Sequence, residues 1–101
     1  MDVLTAVRFA MTRVREAYEN GYDEIELLHG AADVREPVSD GRGRIKWELR
    51  DLLARGTLDR WCRREDSWPR ASSLLLALRR NPRPRREVWS AAPRAAHRRG
   101  P

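Results

Sequence analysis

Residues 24–50 read EIELLHGAADVREPVSDGRGRIKWELR, and the order of elements within them decides the fold. Ile25, Leu27 and Leu28 form a short apolar run that stops at His29-Gly30, which predicts a strand over 24–28. A stretch containing Gly, Pro, Ser and Asp follows as an exposed loop, and Glu36-Pro37 blocks helix there because the residue before a proline is pushed out of the helical region. A loop of that length in a small domain is often functional. Gly41-Arg42-Gly43-Arg44 then opens an amphipathic helix over about 43–55, which buries Ile45, Leu49, Leu52 and Leu53 and ends at Gly56. A strand end, a loop and a helix start gather unpaired N–H groups and the positive end of a helix dipole in one concave place, which suits an anion and above all a phosphate.

Working outward, apolar residues at 3, 6, 7, 10, 11, 14, 17 and 18 repeat with the period of one helical face. They predict a helix over 3–18 that ends at Asn20-Gly21. Beyond Gly56, residues 58–63 and 73–79 are expected as strands, with Trp68-Pro69 between them in a turn. The run LLLALRR fits a helix on propensity, but its short length and flanking turn residues favour a strand. From Asn81 onward Pro, Arg and Ala dominate, with too little apolar surface to offset the entropy of ordering. The expected architecture is an α/β two-layer sandwich over residues 1–80, a small mixed sheet with two helices on one face, followed by a disordered basic tail over 81–101.

The net charge of +6 is unevenly distributed. Residues 1–78 carry 13 basic and 14 acidic side chains, whereas residues 79–101 carry 8 Arg and one Glu, so a polyanion would be attracted first by the tail. The basic residues are 20 Arg and one Lys, a bias that suits bidentate phosphate contacts but that GC-rich coding also produces. A single cysteine, Cys62, excludes an internal disulfide, fits a reducing compartment and is expected as a partly buried thiol. There is no signal-peptide pattern, and the longest apolar run, Leu74 to Leu78, is too short to span a bilayer, which together lead to the expectation of a cytoplasmic protein without a membrane partner.

At Leu27-Leu28-His29-Gly30 and at Gly41-Arg42-Gly43-Arg44-Ile45-Lys46 the chain resembles the small MutS-related (Smr) domain. Members of that family have an amphipathic helix, a glycine eight residues before a strand-ending His-Gly, and a glycine turn into a helix that starts with a Leu-Arg-like pair. Here Gly21 stands eight residues before His29, and Ile45-Lys46 replaces the pair. Two departures stand out: residues 31–40 are inserted between the motifs, and the family's first strand, with its Asp-Leu-His-type motif, would lie ahead of Met1. The resemblance implies a nucleic-acid-binding domain, with DNA nicking or RNA cleavage in some members. The missing strand would have supplied an acidic residue and a second histidine.

The candidate residues follow from both readings. His29, at the strand end, could contact a phosphate or move a proton, or simply hold the loop. Gly30, Gly41 and Gly43 could let backbone approach an anion, and Arg44 stands at the helix start. Arg42, Lys46 and Arg50, spaced four apart, would form one basic stripe, or a solvated face paired with Glu48 and Asp51. The tail arginines Arg79, Arg80, Arg83, Arg85 and Arg86 would add counterion release. Trp47 and Trp61 are expected in the core or between helix and sheet, and Trp68, beside Arg70, is the better partner for a stacked base. Glu26, Asp33, Glu36 and Asp40 are the acids nearest His29 in sequence, and no motif for a metal, a serine nucleophile or a nucleotide-phosphate loop is present.

Three functions compete. The leading one is binding of DNA or RNA through the His-Gly and Gly-x-Gly region and the basic tail, without a cofactor. The second is Smr-type endonuclease activity with His29 in catalysis and a divalent metal as a possible cofactor. The third is a protein-interaction module whose sheet edge, left bare by the missing strand, pairs with another chain.

Overall fold

The computed structural model describes residues 2–37, 43–85 and 97–98. Helix α1 (Val3–Glu19) starts where the Asp2 side chain accepts the Thr5 amide proton at 2.8 Å, and it stops at Asn20, where the Asn20 amide donates to the Glu16 carbonyl at 2.9 Å and the Gly21 amide to the Tyr18 carbonyl at 3.1 Å. Its Val7, Ala10, Met11, Val14 and Ala17 face the core. Strand β1 (Tyr22–Leu28) follows, then helix α2 (Arg44–Ala54), a single 3-10 turn at Arg64–Asp66, and strands β2 (Trp68–Pro69), β3 (Ser73–Ala77) and β4 (His97–Arg98).

The four strands lie in the order β2-β3-β1-β4. Direct cross-strand partners share a face, so Ile25 opposite Leu76 and Leu27 opposite Leu74 point to the helices, with Ile25, Leu74 and Leu76 fully buried. Glu24, Glu26 and Leu28 lie on the other face with Leu75, Ala77 and Ser73. Leu49, Leu52 and Leu53 of α2 and Leu58 and Cys62 complete the core beneath α1. This is the expected α/β sandwich with both helices packed on one sheet face.

Three local expectations are corrected. The sheet is antiparallel at every described pairing rather than mixed. The reason is the long return after α2: the chain travels back before entering β3, so Ser73 starts opposite Leu28, at the end where β1 finishes. Residues 58–63 form no strand. The amides of Trp61 and Cys62 both donate to the Leu58 carbonyl, at 3.0 and 2.9 Å, in a helical turn that drives Leu58 inward, and Cys62 alone bridges to Leu78. Trp68-Pro69 is an edge strand, where a missing amide proton is tolerated, and the turn lies just beyond it.

Residues 81–85, expected as the start of the tail, run against the end of α1. Asn81 Nδ2 donates to the Tyr18 carbonyl at 3.0 Å, and the Arg85 amide donates to Glu19 at 2.9 Å. Among the described residues no helix is long and apolar enough to cross a membrane. Cys62 is fully buried, more than the partly buried thiol expected, and burial pushes that thiol up to about 12.

Candidate nucleic-acid interface

At the far end of β1 the His29 and Gly30 amides both donate to the Ser72 carbonyl, at 3.0 and 2.9 Å. The His29 Nδ1 lies 2.7 Å from the Gly30 carbonyl oxygen. A carbonyl only accepts, so Nδ1 carries the proton, and in the neutral ring Nε2 is left as an acceptor. That Nε2 is buried and has no partner. Burial, and after it the positive charges of Lys46 and Arg50, hold the ring's pKa below the usual histidine value, while the bond to Gly30 works the other way. His29 thus fixes the turn through Nδ1, and its lowered pKa favours the neutral ring.

Of the basic stripe expected on α2, Lys46 is turned inward, and Arg42 lies outside the described residues. Lys46 is buried, and its Nζ donates to the carbonyls of Val34 at 2.9 Å and Ala31 at 3.3 Å. Its ammonium pKa is lowered, first by burial and then by Arg50, with Asp33 opposing. Its role is to clamp the 31–34 turn to α2. Gly43 serves the same junction: it caps α2 at φ +70°, and a Cβ there would meet Val34 Cγ1 at 3.0 Å. Arg50 donates from Nη2 to the Arg70 carbonyl at 2.9 Å and lies 5.0 Å from the Trp47 ring centre. Its Nε and the Trp47 Nε1 are buried without partners.

His29, Gly30, Gly43, Lys46 and Arg50 thus converge, but as a packed junction. Arg44 is exposed on the first turn of α2. Gly41, Arg42 and Asp40 fall outside the described residues, as do Arg86 and Trp89. Glu26 faces away from the helices, where its Oε2 accepts from Ser73 Oγ at 2.6 Å and pairs with Arg70 at 3.3 Å. Among the described residues no three His, Cys, Asp or Glu side chains come together as a metal would require. Arg79, Arg80, Arg83 and Arg85 are not part of this junction: the Leu78 amide bonds the Asp23 carbonyl, so the chain leaves the sheet at the opposite end of β1, ~20 Å from His29 for a strand of this length.

No family model matches the chain, and no curated protein or solved structure matches it either. The Smr resemblance accordingly rests on the His29-Gly30 and glycine-turn residues themselves.

A second surface, unnoticed in the sequence, lies around Trp61. One flank of α1 aligns Arg8, Met11, Thr12 and Arg15 at i, i+3, i+4 and i+7, with the part-buried Met11 at its border with the core, and this stripe borders one groove beside the indole. Arg15, Tyr18, Glu19 and Arg60 border a second groove that also reaches the indole, and Arg15 pairs with Glu19 at 3.7 Å. The Arg60 guanidinium lies 5.5 Å from the Trp61 ring centre. Trp61 is half-buried, packing against the core as expected while leaving part of its surface to both grooves. The Arg79 amide donates to the Trp61 carbonyl at 2.7 Å, and Asn81 then ties the chain to Tyr18. Arg80, Arg83 and Arg85, all exposed, are thereby held beside this face. The Arg79 Nε is occupied by the Asp59 carbonyl. The one sequence signal for the surface was the seven-residue spacing of Arg8 and Arg15, with Thr12 between them on a helix whose other side is apolar.

Proposed function

We propose that the domain binds single-stranded DNA or RNA across the Trp61 face. The observation that carries this reading is the indole bordered by two grooves whose rims bear Arg8, Arg15 and Arg60. A base stacks on an aromatic ring whatever its identity, and arginines along the groove pair with the phosphates on either side. Arg80, Arg83 and Arg85 extend the cationic track. Arg8 and Arg15 stand ~10 Å apart along the helix, enough to engage phosphates that are not adjacent. Binding of this kind carries little sequence preference and weakens steeply with salt.

Binding without cutting is the better supported activity. The ring nitrogen of His29 that is free to move a proton is enclosed, and Glu26 is held by Ser73 and Arg70 on the other face of the sheet. The test is fluorescence anisotropy with labelled oligothymidylate and oligouridylate over a salt series. Micromolar affinity at low salt is expected, together with quenching of tryptophan emission. The triple variant Arg8→Ala, Arg15→Ala, Arg60→Ala should flatten the log-log salt slope by about two to three units. An unchanged slope in that variant, or no binding at low salt, refutes the assignment.

A further inference from the structure

Among the arginines around Trp61 stands one acid. Glu19 borders the groove that Arg15, Tyr18, Arg60 and Trp61 complete. It follows Arg15 by four residues, so both side chains leave the same flank of α1. Its Oε1 lies 3.7 Å from Arg15 Nε, too far for a hydrogen bond, and the two side chains are 36% and 52% exposed. An exposed pair of this kind contributes little to stability, so the carboxylate is free to exchange it for a ligand. The Glu19 carbonyl accepts from the Arg85 amide at 2.9 Å, which fixes the backbone that carries the side chain. The described residues that follow Arg85, His97 and Arg98, pair on the edge of β1 away from β3, whereas Cys62 bridges Leu78 at the end of β3, so β4 and Trp61 lie toward opposite edges of the sheet.

We propose that Glu19 reads guanine in the bound single strand, an inference that rests on the single-strand reading above. A carboxylate repels the phosphates that the arginines attract, so it adds to affinity only where the ligand brings donors to it. Phosphates bring none. Thymine and uracil bring one N–H flanked by two carbonyls, which meet the carboxylate oxygens unfavourably. Adenine and cytosine each offer one exocyclic amine. Guanine alone presents two parallel donors, N1–H and the N2 amine, on its Watson–Crick edge, and the two carboxylate oxygens accept from both at once. With the base stacked on Trp61 and that edge turned to Glu19, Arg15 and Arg60 remain for the phosphates on either side. Stacking and phosphate contacts are indifferent to the base, so Glu19 supplies the sequence preference of this face.

The experiment measures, by fluorescence anisotropy at one low salt concentration, the affinity of the full chain for labelled oligothymidylate and for the same strand with a central guanine, inosine, adenine or cytosine. Guanine should tighten binding about five- to tenfold, the low end for a bidentate base contact because the groove is open to water. Inosine, which keeps N1–H and lacks the N2 amine, should recover only about two- to threefold, and adenine and cytosine should gain less than guanine. Glu19→Gln should bind the thymidylate strand at least as tightly as the wild type, which shows the variant folded, and should lose the preference for guanine, because its amide has one acceptor where guanine brings two donors. Equal affinity for the thymidylate and guanine strands overturns the guanine assignment and leaves the single-strand reading standing, and so does a guanine preference that survives in Glu19→Gln. Absence of binding to every strand overturns both.

Discussion

Gly21→Ala probes whether residues 81–85 belong to the folded body. Gly21 has φ +78°, which costs a side-chain-bearing residue about 1–2 kcal/mol, and a Cβ there would stand 2.6 Å from Pro84 Cβ. That separation is too short, and the proline ring cannot rotate away. Relief requires moving the 81–85 segment, which loosens the bonds from Asn81 to Tyr18 and from Arg85 to Glu19, each worth about 1 kcal/mol net. The total is about 3–4 kcal/mol. In the background of Pro84→Gly the opposing Cβ is gone, and the same substitution should cost only the backbone part, about 1–2 kcal/mol. Urea unfolding followed by circular dichroism measures both arms of the cycle. Equal costs in the two backgrounds would refute the packing of Pro84 on Gly21. The single variant should also weaken oligonucleotide binding, because Arg83 and Arg85 lose their support beside Trp61.

Two further outcomes follow from the buried groups. Cys62, fully buried and with its thiol pushed up to about 12, should not react with Ellman's reagent at pH 8 until denaturant is added, and fast reaction in the native protein would place it elsewhere. His29 has a folded pKa below its unfolded value, so the unfolded chain takes up the proton first. The stability that its neutral form contributes is present above about pH 6.5 and lost as pH falls from there toward the folded pKa. His29→Gln should flatten that decline, and an NMR titration of the His29 ring with its midpoint at or above 6.5 would contradict the assignment.

The elements legible in the sequence are those whose pattern has a single solution. The apolar positions of α1 repeat over four turns, and β1 is short, apolar and bounded by Gly21 and Gly30. Residues 58–63 were ambiguous in kind: Leu58, Trp61 and Cys62 sit at i, i+3 and i+4, which a helical turn satisfies as well as a strand does. Strand direction depended on the path after α2, which no local pattern specifies. The candidate site failed at Lys46 for a similar reason. A lysine four residues from two arginines reads as a surface stripe, and only the fold brings the Val34 and Ala31 carbonyls against its ammonium. Lys46 and Gly43 are brought against the 31–34 turn by the fold, a contact that no local residue pattern specifies.

Helix α1 turns different flanks to different surroundings. Val14 and Ala17 point into the core, Arg8 and Arg15 lie toward Trp61, and Ala6, Phe9 and Ala10 border a cleft beside β1. Adjacent helical residues diverge by ~100°, so Arg8 and Phe9 serve opposite flanks of one element although they are neighbours in sequence. The flanks share no lining residue: arginines and Glu19 border the Trp61 side, and the cleft beside β1 is lined chiefly by apolar residues with Arg13, Glu26 and His29 among them. A nucleic-acid strand is thereby drawn by charge to the Trp61 flank, and high salt would release it.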